Sequence, residues 1–195
     1  MPKTAPACDS EATAHTPYQT LLGEWYARLH PHVRVAHEAP LRAEGAVDVT
    51  HGVHPLAPLF IRAMNLPAAG TSKPVTLVVD IDSSTPGTAP TMTWMRQIGE
   101  TRLDTRQFAR QGHLVEEAGP GAVEFRLRVD EDGSLVYENA RCRFLRIPVP
   151  GVLSPQVRAR VAPASSGWRV SVVVEWRGHP ICTYGGLMQP VRTAT

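Results

Sequence analysis

Cysteine is scarce in this chain: Cys8, Cys142 and Cys182 are the three present in 195 residues. The count is odd, and none of them has the spacing of a metal-ligand pair, so neither a disulfide scaffold nor a cysteine-bound metal is expected. A bridge between Cys142 and Cys182 stays open, because both fall on expected strands; otherwise sparse thiols suit a reducing, cytoplasmic setting. Long apolar runs are missing as well. No stretch approaches the roughly 20 residues that cross a bilayer, and no apolar segment follows Lys3 as it would in a signal peptide. Charge of one sign is also lacking. The net charge is +2, and the arginines are scattered along strands rather than gathered with aromatics, which argues against a nucleic-acid partner.

What remains is an ordinary globular composition, 43% hydrophobic and 19% charged, long enough for one domain with a substantial core. The expected organisation is a disordered arm over 1–16, a single β-barrel-like domain over 17–190 and a tail over 191–195. Thr16 and Pro17 carry the signals of an N-cap and a first helical position. Tyr18, Leu21, Leu22, Trp25, Tyr26 and Leu29 then recur at helical spacing, so one amphipathic helix is expected up to His30, packed on or plugging a sheet. A second short helix is expected from Pro55 to Met64. His30, His32, His37, His51 and His54 match no ligand spacing and are read as surface or turn residues.

The rest of the chain alternates. Leu41 to Thr50, Pro74 to Asp82 and the run from Thr91 to Phe144 read as half-buried strands separated by turn signals at Gly99-Glu100, Gln111-Gly112, Gly119-Pro120-Gly121 and Asp132-Gly133. The segment Ser83 to Pro90 is expected to be a surface loop. TRLDTRQFAR also fits a helix face, and the strand reading is preferred. Val123, Phe125, Leu127 and Val129 face inward, because Glu124, Arg126 and Arg128 alternate with them. Two-residue turns then carry the inward face back through Leu114, Glu116 and Ala118, through Thr105 and Gln107, and through Met92, Trp94 and Arg96. Forward, an even turn at Asp130 to Gly133 leads to Val136, Glu138, Ala140, Cys142 and Phe144. An odd turn leads to Leu135, Tyr137, Asn139 and Arg141 instead. The first face is more apolar and is preferred. The segment Ile147 to Gly151 is expected to cross the rim, because its prolines cannot sit in a central strand. Trp168, Val170, Val172, Val174 and Trp176 share one face, and a tight turn at Arg177-Gly178 puts Thr183 inside and Tyr184 outside.

The expected fold is therefore mainly β: an antiparallel meander forming a lipocalin-like barrel or a strongly curved sheet, with two short N-terminal helices. Its interior is expected to hold Arg96, Glu116 and Glu138 as catalytic candidates. Met92, Trp94, Thr105, Gln107, Phe125 and Thr183 are expected to line a binding pocket. A charge inside an apolar sheet is tolerable only when paired. If one glutamate pairs with Arg96, the other has a raised pKa, which gives a general acid beside a general base. Alternatively the pair merely fixes the fold, and Trp94 either stacks on a ligand or fills the core.

The ordered segments YQTLLGEWYARLHPHVR, NLPAAG…KPV, TWMRQIG, HLVEEAGP, LRIPVPGVLSP and YGGL, spanning Tyr18 to Leu187, resemble the bacterial family catalogued as domain of unknown function 4166. The resemblance implies a recurring unit with Trp94, Arg96 and a glutamate at Glu116 or Glu117. This chain has Ile98-Gly99 where the family usually has Phe-Gly. Relatives of that kind are also found attached to reductase-like domains, but no G-x-G-x-x-G occurs here, so no nicotinamide chemistry is implied. The family supplies no reaction. Two classes follow from the residues. The first is a cofactor-free cyclase or isomerase acting on an apolar, polyketide-like substrate, with spiroacetal closure as an example. The second is a lipid or hydrophobic-ligand binding module anchored by Arg96, and a filled interaction domain with no pocket is a third outcome. A homodimer is compatible with either class, and no metal or cofactor is expected.

Overall fold

The computed structural model describes residues 15–82 and 89–191. Most of the expected arm, Cys8, the greater part of the Ser83 to Pro90 loop, and residues 192–195 lie outside the described residues. The strands are β1 (Leu41–His51), β2 (Gly70–Asp82), β3 (Thr91–Ile98), β4 (Thr101–Arg110), β5 (His113–Ala118) and β6 (Gly121–Val129). After them come β7 (Leu135–Phe144), the two-residue β8 (Ile147–Pro148), β9 (Gln156–Ala164), β10 (Gly167–Trp176) and β11 (His179–Pro190). TRLDTRQFAR is thus a strand, held between β3 and β5.

Every ladder is antiparallel, and sequence neighbours are mostly spatial neighbours. The order runs β6-β5-β4-β3-β2-β1-β11-β10-β9-β7-β8, and β6 also pairs with β7. That last pairing closes ten strands into a barrel, with β8 as a short appendage. Closure answers the physical demand of the sequence: an alternating meander has an apolar face to bury and two edges to hide, and a barrel does both. The close approach of β1 and β11 needs small residues. A Cβ on Gly186 would lie 1.9 Å from the Ala46 carbonyl oxygen, and one on Gly45 would lie 2.1 Å from that of Leu187. Glycine at these two positions lets β1 and β11 pair this closely.

The two barrel ends differ. At one end the N-terminal segment forms a plug. Thr16 caps α1 (Pro17–Leu22) in a reciprocal box with Gln19, as its sequence signals require. The expected single helix to His30 breaks at Gly23, whose φ of +52° lies in the left-handed region. A 3-10 turn follows over Gly23–Arg28, and α2 starts anew at Pro31–Val35. The break has a packing reason. Tyr18 and Leu22 point into the barrel, whereas a straight continuation would not fold back under the rim. Trp25 stays exposed, with the Arg28 guanidinium 4.1 Å from its ring centre. The plug is pinned to the barrel by His30 N–H donating to the Gly133 carbonyl at 3.0 Å and by His32 Nδ1 at 2.7 Å from the Ala164 carbonyl.

The opposite end carries the tight turns at Gly99-Glu100, Gly119-Pro120 and Arg177-Gly178, and the helix α3 (Ala57–Ala63) between β1 and β2. The segment from Phe144 to Pro155 crosses the rim there, as its prolines suggest. Among the described residues no helix is long and apolar enough to cross a membrane.

Candidate functional site

Between plug and open end lies a cavity of about 670 Å³. Its walls are mostly apolar, with Val47, Leu77, Val157, Trp168, Val172 and Val174 drawn from strands all round the barrel. A polar cluster on β3, β4 and β5 interrupts them. Arg96, Thr105, Gln107 and Glu116 reach the cavity together because the two-residue turns keep inward parity across these three strands.

Arg96 Nη2 donates to Glu116 Oε1 at 2.8 Å and to Thr105 Oγ1 at 3.3 Å. Side-chain exposures of 18% and 19% show that both partners of the ion pair still face open space within the cavity. Burial alone would raise the Glu116 pKa. The Arg96 charge, with hydrogen bonds from Arg96, Thr105 and Gln107, outweighs it and holds the carboxyl below its ordinary value. For Arg96 burial opposes ionisation, and Glu116 more than restores it. Glu116 is therefore a carboxylate at neutral pH, not a general acid. The Arg96 guanidinium also sits 5.0 Å from the centre of the Trp94 ring, which supports the cation from behind.

Behind the pair runs a second chain of polar groups toward the plug. The Tyr18 hydroxyl donates to Gln107 Oε1, so the Gln107 amide turns its N–H groups to Glu116. The Tyr137 hydroxyl lies 3.2 Å from that of Tyr18 and 2.6 Å from His37 Nε2, and His37 Nδ1 lies 2.6 Å from the Val33 carbonyl. His37 is fully buried, and burial pushes its pKa down to about 4. The neutral ring must place its one hydrogen on Nδ1 to satisfy Val33, leaving Nε2 to accept from Tyr137. One hydrogen each from His37, Tyr137 and Tyr18 then serves three of the four contacts, and the pair left without one is the two tyrosine hydroxyls, 3.2 Å apart. Tyr184, also on the cavity wall, has its hydroxyl pKa raised to about 12 by burial. These phenols are proton donors at neutral pH.

The structure brings together most, though not all, of the residues that the sequence nominates. Arg96, Glu116, Trp94, Thr105, Gln107 and Phe125 line the cavity. Met92 faces inward but is fully buried beside the plug, below the cavity wall. Glu138 is misplaced by the sequence reading. It lies on the outer surface, 51% exposed, with Arg128 Nε 3.4 Å away. The cause is turn length: Val129 pairs with Leu135, so the connection is the odd-numbered run Asp130 to Ser134, which brings Leu135 and Tyr137 inside. A bulge at Ala140 then restores the expected parity for Cys142. Thr183 is likewise outside. The Arg177-Gly178 turn is tight as expected, but Val174 pairs with Cys182 while Glu175 pairs with Pro180. The extra residue, Ile181, reverses the alternation and turns Tyr184 inward. Glu124 does face outward but is not wet, being buried between Arg110 and Arg143 at 2.9 and 2.8 Å.

His37, Tyr137 and Tyr184 are the cavity residues that sequence reasoning misses. Tyr137 belongs to the face offered by an odd turn, and Tyr184 depends on a bulge. Nothing in the local sequence marks His37 as buried rather than a surface or turn residue. Cys142 and Cys182 are separate buried thiols, not a disulfide. Among the described residues no group of three or more His, Cys, Asp or Glu is placed to hold a metal ion.

The family model described as Domain of unknown function (DUF4166) matches residues 29–188. The chain belongs to that family. No curated protein and no solved structure matches it. The matched range takes in β1 to β10, all but the last two residues of β11, the ion pair and His37, but leaves out α1 and Tyr18.

Proposed function

We propose that this family member is a cofactor-independent cyclase or isomerase for an apolar substrate that carries both a hydroxyl and a carbonyl, as polyketide-like chains do. The observation that carries the reading is the Arg96–Glu116 pair on the wall of an apolar cavity. A carrier that anchors a carboxylate head needs a free cation, and here Glu116 already neutralises Arg96. What the pair offers is a base beside an electrostatic clamp, which suits ring closure of a neutral molecule.

The chemistry divides between the two residues. Glu116 accepts the proton of the attacking hydroxyl as its oxygen bonds to the carbonyl carbon. The carbonyl π electrons move to oxygen, where the Arg96 guanidinium stabilises the developing charge. The proton returns to that oxygen, so the net reaction is an isomerisation. Where a spiroacetal forms, the substrate carries a second hydroxyl: a phenol such as Tyr184, rather than a second carboxylate, protonates the hemiketal oxygen as it leaves as water, the second hydroxyl adds to the resulting oxocarbenium carbon, and its proton returns to the phenolate. The apolar walls exclude water and fold the chain, raising the effective concentration of its two ends. The same reading places the protein in a reducing compartment such as the cytoplasm, in keeping with two separate buried thiols.

Native mass spectrometry of the purified protein comes first, followed by denaturation and analysis of any released molecule. Hydroxy-ketone chains of that class are then incubated with the protein, and ring closure is followed by chiral chromatography. The expected result is accelerated, stereoselective closure that Glu116→Gln abolishes while binding persists. Saturable binding with closure no faster than in buffer would replace this reading with the non-catalytic one.

A further inference from the structure

Outside the cavity, the most unusual local structure is the hairpin tip joining β7 to β8. Phe144 pairs with Ile147, leaving Leu145 and Arg146 as a two-residue turn with φ of +50° and +67°. Such a turn is ordinarily filled by Asn-Gly, because a side chain at positive φ is strained. Here it holds a leucine 63% exposed, flanked by Phe144 at 53% and Ile147 at 68%. A strained turn that displays apolar side chains to water gains nothing for the fold.

The hairpin does not stand alone. All but Trp25 and Val191 of the exposed large apolar side chains among the described residues lie at the open end of the barrel. They come from two segments, 53–59 and 144–153, which Trp176 bridges. Its ring stands 5.8 Å from that of Phe60, and its N–H donates to the Val152 carbonyl at 3.2 Å. Charge along this arc is one-sided. The chain has no acidic residue between Asp48 and Asp80, nor between Glu138 and Glu175. Exposed Arg62, Arg146 and Arg177 sit among the apolar groups. Glu100 and the Arg102–Asp104 pair lie across the mouth, on the β3–β4 side.

We propose that this arc docks on an anionic lipid surface, with the Leu145-Arg146 tip entering the headgroup layer and the cavity mouth facing the membrane. Apolar side chains interleaved with exposed arginines, with the adjoining Glu175 carboxylate already held by Arg158, match a surface that is apolar beneath and negative at its face. A second copy of the chain would present the same arginines to one another and be repelled by them. Docking in this way gives an apolar substrate a path into the cavity that avoids water.

Co-sedimentation of the full chain with phosphatidylcholine vesicles, with and without phosphatidylglycerol, tests the proposal. Binding is expected only where phosphatidylglycerol is present, and it should weaken with added salt. Arg146→Glu reverses a charge at the surface and is expected to lower partitioning about thirty-fold. The paired replacement Leu145→Asn with Arg146→Gly builds the relaxed turn. It should raise the melting temperature while vesicle binding is lost, a combination that damage to the fold cannot produce. Absence of wild-type binding to either vesicle would overturn the proposal. So would sedimentation velocity showing a wild-type dimer that the paired replacement dissociates, since a second copy would then cover the arc. None of these substitutions touches Arg96 or Glu116, so the outcome is independent of the reaction assigned to the cavity.

Discussion

Acid should loosen this barrel through one residue, His37, well before its carboxylates titrate. The ring is fully buried, surrounded by Tyr18, Tyr137 and Trp94, and its pKa falls from 6.5 to about 4 on folding. A folded pKa below the unfolded one means that the unfolded chain takes up a proton that the native state refuses. Stability from this group is fully present above the unfolded value, declines as pH drops through 6.5, and is exhausted only below about 4. Two and a half pKa units set a ceiling of about 3 kcal/mol. Between pH 7 and pH 5 the loss amounts to about 2 kcal/mol. Glu116 adds a loss of the same sign, but its folded pKa is depressed, so its share is lost only at and below the ordinary carboxylate range. The window from pH 7 to 5 therefore isolates histidine. Urea unfolding at both pH values, on wild type and His37→Asn, reads the effect. The variant should start weaker at pH 7, having lost the Tyr137 and Val33 contacts, but lose about 2 kcal/mol less on acidification. Equal losses in both proteins would refute a buried neutral ring and, with it, the assigned direction of the Tyr137 hydrogen bond.

Three further outcomes are expected of the barrel. Arg96→Met should cost about 3 kcal/mol, because it strands the Glu116 carboxylate in an apolar wall, whereas Arg96→Met with Glu116→Leu should recover most of that loss in urea unfolding. Additive losses in the double variant would show that the pair is no more than two separate packing residues. Glu138→Gln, on the outer surface, should shift stability by less than about 0.5 kcal/mol and leave ligand binding and turnover unchanged. A large activity loss would return Glu138 to the cavity. Gly186→Ala should destabilise by about 3 kcal/mol or prevent folding, since its Cβ would meet the Ala46 carbonyl, and the melting temperature reads this directly.

The sequence alone determines the architecture here, because alternation and tight turns are local. Gly99-Glu100, Gln111-Gly112 and Gly119-Pro120 each close a two-residue hairpin, so inward parity passes intact through β3, β4, β5 and β6. Arg96, Thr105, Gln107 and Glu116 could be placed on one face for that reason. The same local logic gives the Thr16 cap and the rim position of Ile147 to Gly151. Parity fails where the backbone gains or loses one residue. The odd connection Asp130 to Ser134 expels Glu138 and admits Tyr137, and the extra residue Ile181 expels Thr183 and admits Tyr184. Neither event has a local signature, since a bulge is chosen by the twist that barrel closure imposes rather than by the strand that carries it. His37 is the extreme case. It follows a short helix with nothing to distinguish it from His30 or His32, and only the docking of the plug into the closed barrel buries it against Tyr137. The polar wall of the cavity was thus written along the chain, whereas the proton-donating groups behind it exist only because the ends of the sheet meet.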